Sequence, residues 1–506
     1  MPINYVPNDP RASAYAKPRE QTPRRNRPAG RATFDAGALP DAKRYPPGSD
    51  DALAWQSREA ALAAVEMFEE LHGPLRKWAR SSRARTLDLN RDAGEDINAY
   101  YDGESVSFFH YPVGAATVWS GASAEVVAHE VGHALLDTIR PELWDSNYPE
   151  VAAFHEAFGD CIGMLTSLAD ADMRKDMVKL IGRRNFVETF GEEISWAVRK
   201  VRGAQHNASK PRQGRNTFQW ALPATLPEDG PPGLLINEPH SFGQVFSGCF
   251  YDVIALTFAN GAKNEAALWQ AASAAAKALF AAAKAAPHTP RFFQAVGRAM
   301  ALHDTTTAGA QRAVVTQAFA KHGIGLGSSG VAVPRATIAG ARLRRAAAGA
   351  PALMPATSAD LRNRLGAAPG APLHVRSVEL GDRRLVEASH HRHVDLTGLA
   401  TYLKNVSALG SEPVLVAPVR GAMAILSHIP DPNATCDEVR AFVQGLVARA
   451  EIAHGASAAA APVVARRAAL AQQPARPPAA KTHQVMRQKG QAVLRRVRFA
   501  CGRAPG

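Results

Sequence analysis

The run VVAHEVGHALLD, residues 126 to 137, sets two histidines and two acids into an otherwise apolar stretch whose spacing predicts a helix. His129 and His133 are four residues apart, so on a helix their imidazoles leave the same face and can grip one ion. Glu130 stands beside the pair. In this arrangement a zinc ion makes its bound water more acidic and a neighbouring carboxylate takes the water's proton.

A zinc ion that does chemistry takes three protein ligands and keeps one position open. Downstream, VAAFHEAFGDCIGMLTSL, residues 151 to 168, reads as a largely buried helix with Glu156 and Asp160 on one face. Carboxylates buried in an apolar helix need a cation or a donor. Zinc on Glu156, with Asp160 accepting from a ring nitrogen of His129, satisfies both.

With both blocks in view, the sequence resembles the thermolysin-like zinc metallopeptidases of the gluzincin group, with HExxH on one helix and ExxxD on the next. NAYYDGESVSFF, residues 98 to 109, is similar to the family's edge strand, whose backbone pairs with an extended peptide. The resemblance makes Asn98 and Ala99 substrate-binding positions and puts Val126 in a pocket that favours an apolar residue. EPHSFGQVFSGCFYDVIA, residues 238 to 255, resembles the segment carrying the oxyanion histidine, especially its HxxGxx-aromatic form in the fungalysin branch. His240 is therefore expected to stabilise the oxyanion, and Tyr148 is the best counterpart of the family's oxyanion tyrosine. The closing helices, through the QAF and GI turn near residue 326, match as well.

The resemblance implies one catalytic Zn²⁺ on His129, His133 and Glu156, with Glu130 as general base and a peptide or protein as substrate. Asp160 would orient His129, and Asp137, on the face of His133, would do similar supporting work. The family's acidic calcium ligand falls at Ser167, which leaves calcium doubtful. The family's substrate-holding arginine has no identifiable position in the basic stretch VRKVRGAQHNASKPRQGRN. A second reading is a catalytically weak zinc-fold binding or scaffold protein acting through its C-terminal regions; the presence of Glu130 argues against it.

Taken whole, the 506 residues suit an α+β protein of several units. The expected order is a disordered basic arm (1–49), a thermolysin-like zinc peptidase domain (50–326), a Gly/Ala/Pro/Arg linker (327–371), a small α+β module (372–455) and a disordered basic Ala/Pro-rich tail (456–506). The peptidase domain is expected to have a reduced N-terminal sheet and a mainly helical C-terminal half. The tail holds ten Lys and Arg and no acid, against a net charge of +13, and suits weak, non-specific anionic contacts. The HHRH run (390–393), where His391 and His393 share a face if extended, reads as a solvated loop. Four dispersed cysteines suggest neither a disulfide framework nor a thiolate zinc site. No signal peptide or transmembrane segment is visible, so the chain is expected in the cytoplasm or exported by a non-classical route.

Overall fold

The computed structural model describes residues 1–303, 310–326, 359, 361–363, 365–380, 383–419, 422–425, 432–453, 481–488 and 490–501. Most of the 327–371 linker lies outside the described residues. The fold is α+β, as expected from the sequence.

The first segment differs from a disordered arm. Strands β1 (Ile3–Tyr5) and β2 (Arg19–Gln21) pair antiparallel, and β3 (Thr33–Asp35) joins a larger sheet. Its order comes from the helix that follows, α1 (Asp50–His72). Gln56 of α1 holds both backbone groups of Val6 at 2.8 Å, and Glu59 accepts from the Arg24 backbone N–H at 2.8 Å. Arg24 also pairs with Glu66 and Arg27 with Glu69. Acids on α1 thus pair Arg24, Arg27 and Arg31, and acids elsewhere pair Arg11 and Arg19.

After α1 come β4 (Thr86–Asn90), β5 (Ala99–Tyr101) and β6 (Ser105–Phe108), then the hairpin β7 (His110–Val113) and β8 (Ala116–Trp119). Helices α2 (Ala124–Ile139) and α3 (Pro149–Ala169) follow and pack on each other. Then come α4 (Ala171–Leu180), β9 (Thr189–Phe190), α5 (Glu192–Arg202), β10 (Arg212–Gln213), α6 (Pro239–Ala259), α7 (Glu265–Ala285), α8 (Phe292–His303) and α9 (Ala310–Lys321). Among the described residues only α6 is long and apolar enough to cross a membrane. It is instead a core helix, packed against α3, α7 and α9.

The C-terminal region is built from β11 (His374–Leu380), β12 (Arg383–Asp395), β13 (Val406–Val419), β14 (Ala422–Ile425), α10 (Pro432–Ala448) and β15 (Ile452–Ala453), joined by β16 (His483–Gln488) and β17 (Gln491–Arg496). These form one seven-stranded sheet in the order β11-β12-β13-β17-β16-β15, with β14 beside β13. Within the expected disordered tail, His483–Gln488 and Gln491–Arg496 are thus strands, while 456–480 lie outside the described residues. His483 of β16 and Val493 and Leu494 of β17 are buried in this sheet. The HHRH run lies within β12, paired residue by residue with β13, rather than in a loop.

A last strand, β18 (Phe499–Ala500), leaves this sheet and returns to the first domain. There it completes a five-stranded sheet in the order β18-β5-β6-β4-β3. The two regions share one continuous apolar core. Polar ties reinforce the junction: Asn147 Nδ2 donates to the Leu409 carbonyl at 2.9 Å, and Arg449 Nη1 to that of Asn237 at 2.8 Å.

Candidate active site

Two helices bring the sequence-selected residues together. Helix α2 starts at Ser123, whose side chain accepts from the Val126 N–H, and carries His129, Glu130 and His133, all buried. Helix α3 opens with Pro149 in its first turn, where a missing N–H costs nothing, and carries Glu156 and Asp160. The helices touch at two glycines: a Cβ on Gly132 would stand 2.8 Å from the Gly159 Cα. Only glycine permits this approach, and it sets His129 against the α3 backbone.

One oxygen of Glu156 collects three imidazoles. Its Oε2 is 3.2 Å from His129 Nε2, 3.4 Å from His133 Nε2 and 2.9 Å from His240 Nε2. Only the first contact is aligned as a hydrogen bond; both His133 nitrogens, His240 Nε2 and Glu130 Oε2 are enclosed with no hydrogen-bond partner among the described residues. Buried polar atoms are ordinarily paired, so this cluster suits a cation. Nitrogen and carboxylate donors in this number fit zinc, with His129, His133 and Glu156 as the holding set.

The surroundings tune these groups. His129 Nδ1 is 2.9 Å from Asp160 Oδ1. Arg212 on β10 also donates to Asp160, from Nη2 at 2.7 Å and Nε at 3.2 Å. Burial alone would raise the Asp160 carboxyl, but Arg212 and His129 bring it down to about 2. Burial pushes the Glu130 carboxyl upward against the pull of His133 and His129. A carboxyl raised in this way is a better proton acceptor.

His240 lies in the first turn of α6. Glu238, the N-cap, accepts from the His240 and Ser241 N–H groups and sits 2.8 Å from His240 Nδ1. That contact fixes the ring and turns Nε2 toward Glu156. Burial opposes charge on this ring, yet Glu156 and Glu238 hold it well above the ordinary histidine range.

Two expectations are corrected. The Tyr148 hydroxyl is not available as an oxyanion donor: it donates to the Ser411 carbonyl at 2.7 Å and accepts from the Ser411 N–H at 2.9 Å. It is buried in the junction with the C-terminal sheet, at the N-cap of α3, where Ser411 takes up its hydroxyl. Asp137 does not support His133. Its oxygens take Arg80 Nε and the Tyr101 hydroxyl, both at 2.9 Å, tying α2 to β5.

A cleft of about 820 Å³ runs past these groups. Val126, His129, Asp160, Arg212, His240 and Cys501 line it. Val126, Phe190, Ile194 and Val198 give one side an apolar wall. Asn98 is buried immediately before β5, and the Ala99 carbonyl accepts from the Cys501 N–H at 2.9 Å.

Three residues of this site escaped the sequence reading. Arg212 sits in a uniformly basic stretch, where no charge stands out. Glu238 was legible as an N-cap acid before a proline. Cys501 lies 371 residues from Glu130, yet its Sγ is 2.7 Å from Glu130 Oε1; no local signal announces such a contact.

Comparison with known families finds that residues 102–328 match the model of the fungalysin metallopeptidases. A search of curated proteins finds no match.

Proposed function

From the premise that residues 102–328 carry a thermolysin-like zinc metallopeptidase domain of the fungalysin type, we propose that the chain is an endopeptidase in which Glu130 is the general base. The supporting observation is the convergence of His129, His133 and Glu156 beside a buried Glu130 whose Oε2 has no partner among the described residues. Zinc, when bound, polarises the scissile carbonyl and makes a water acidic.

The chain's own residues do the rest. An extended peptide pairs with the backbone of β5 at Ala99, beside Asn98, and sets an apolar side chain against Val126. Glu130 accepts the attacking water's proton and passes it to the leaving amine. His240, steered by Glu238, donates from Nε2 to the carbonyl oxygen as charge develops there. Asp160 keeps His129 in one tautomer and orientation. Arg212, anchored on Asp160 and facing the cleft, holds a substrate carbonyl. A site for Ca²⁺ forms no part of this reading.

Glu130→Gln tests the assignment. An amide keeps the shape but accepts no proton, so zinc content stays at about one per chain while peptide hydrolysis falls by roughly a thousandfold or more. Wild-type turnover in a zinc-loaded Glu130→Gln protein would reject Glu130 as the base.

A further inference from the structure

The last described strand stands where an extended substrate is expected. β18 pairs antiparallel with β5, with Phe499 opposite Tyr101 and Ala500 opposite Tyr100, and the Cys501 N–H continues the ladder to Ala99. Without β18, β5 is the edge of its sheet. An exposed edge accepts any strand of suitable register.

Phe499 fixes that register. Its ring stacks on His155 at 4.0 Å and 21° and on His133 at 4.8 Å and 13°, with Trp144 edge-on at 5.3 Å. The Arg496 guanidinium lies 4.2 Å from the ring centroid. Slipping the strand by one residue would turn the buried ring to the opposite face. Residues two apart in a strand share a face, so the anchor carries Cys501 toward the ligand cluster. Its sulfur, one ring nitrogen each of His129 and His240, and a Glu156 oxygen all lie within 4.8 Å of one another. The Sγ is also 2.7 Å from Glu130 Oε1. The other cysteines are elsewhere: Cys161 and Cys249 in core helices, Cys436 on α10.

We propose that Cys501 is an additional zinc ligand and that the β18 segment keeps the peptidase latent by occupying the substrate's place on β5. The inference rests on the zinc peptidase reading above. The Cys501 thiol gives its proton to Glu130, and the thiolate donates a lone pair to zinc in place of the catalytic water. One proton moves from sulfur to carboxylate, so net charge is unchanged. This single contact withdraws the general base and fills the open position. Thiolate is a favoured zinc donor, and packing alone explains Phe499 but gives no reason for sulfur at residue 501. Release reverses the step: the strand leaves β5 and the thiolate recovers its proton from Glu130.

The test uses the full chain loaded with Co²⁺, whose absorption reports sulfur ligation. Wild type should bind about one cobalt per chain and show a thiolate-to-cobalt charge-transfer band. Cys501→Ala should bind the same cobalt without the band. Alkylation by iodoacetamide, mapped by peptide mass, should reach Cys501 at least about tenfold more slowly in the metal-loaded chain than in the chelated one, because only the open fraction reacts. Zinc-loaded Cys501→Ala should cleave a quenched peptide at least about tenfold faster than wild type. Stoichiometric cobalt with no sulfur band, or equal alkylation rates, overturns the inference and leaves the zinc peptidase reading standing. A sulfur band without any gain of activity in Cys501→Ala overturns latency. A chain that binds no metal overturns both.

Discussion

Gly159 is where the smallest change should do the most to the metal site. A Cβ there would lie 2.7 Å from both Cε1 and Nδ1 of His129 and 2.8 Å from its Cγ. Carbon atoms in contact settle at about 3.5–4.0 Å, so in Gly159→Ala the ring must retreat by roughly an ångström. It has nowhere to go without loss. Its Nδ1 is held at 2.9 Å by Asp160, the next residue on α3, and its Nε2 faces Glu156. Overpacking of this kind costs about 1–3 kcal/mol, but alanine in a helix interior returns about 1 kcal/mol relative to glycine. The metal-free protein should therefore lose little stability. Zinc affinity should fall by about 10–100-fold, the usual consequence of disturbing a ligand's support. Gly163→Ala is the control, one turn along α3, where the nearest atoms are 3.7 Å away and no ring is displaced. Competition titration of the metal-free proteins with a chromogenic chelator, alongside thermal unfolding, separates the two effects. Wild-type zinc affinity in Gly159→Ala would refute the claim that helix contact fixes His129.

Tyr148→Phe strands the N–H and carbonyl of Ser411 in a buried junction and should cost about 1–3 kcal/mol of stability, with kcat per folded molecule unchanged; a large loss of kcat with normal stability would restore Tyr148 to the reaction. His240→Ala should lower kcat by roughly a hundredfold with zinc content intact, and a variant that is merely less stable would make His240 a capping residue. Burial, reinforced by Arg140 near His288 and Arg496 near His483, holds both rings well below the ordinary histidine value. The unfolded chain takes up those protons near pH 6.5 and the folded chain does not, so this stability is full above about pH 6.5 and is lost at about 1.4 kcal/mol per group for each pH unit below it. Urea unfolding at pH 7.5 and 5.5 should show the fall, and His288→Gln and His483→Gln variants should flatten it; equal stability of wild type at both pH values would contradict neutral burial.

What the sequence made legible is local. Helices α2, α3 and α6 are long apolar runs with polar residues at fixed offsets, and a window of that length averages out accidents. The short strands had no such protection. β1, β3 and β18 are two or three residues each, and period-two alternation cannot be read over so few positions. Their order is supplied from elsewhere: Gln56 holds Val6, Glu59 holds Arg24, and His133 and His155 hold Phe499. Composition reports only what a segment can bury by itself, so both basic ends read as disordered.

The site divides along the same line. His129, Glu130, His133, Glu156 and Asp160 sit at four-residue or adjacent spacings, which helix geometry converts directly into proximity. Asp137 was chosen by the same spacing logic and Tyr148 by the family resemblance, and both failed, because a position in sequence does not say which neighbour reaches a side chain first. For Tyr148 that neighbour is Ser411 and for Asp137 it is the pair Arg80 and Tyr101, all on other elements. Arg212 reaches Asp160 from a basic stretch and Cys501 reaches Glu130 from the far end of the chain. The proposed ligand set is thus written in two helices, while the groups that bias its charge and occupy its cleft come from the tertiary fold. A change in Arg212 or Cys501 would therefore alter what the metal site does without touching the motif by which it is recognised.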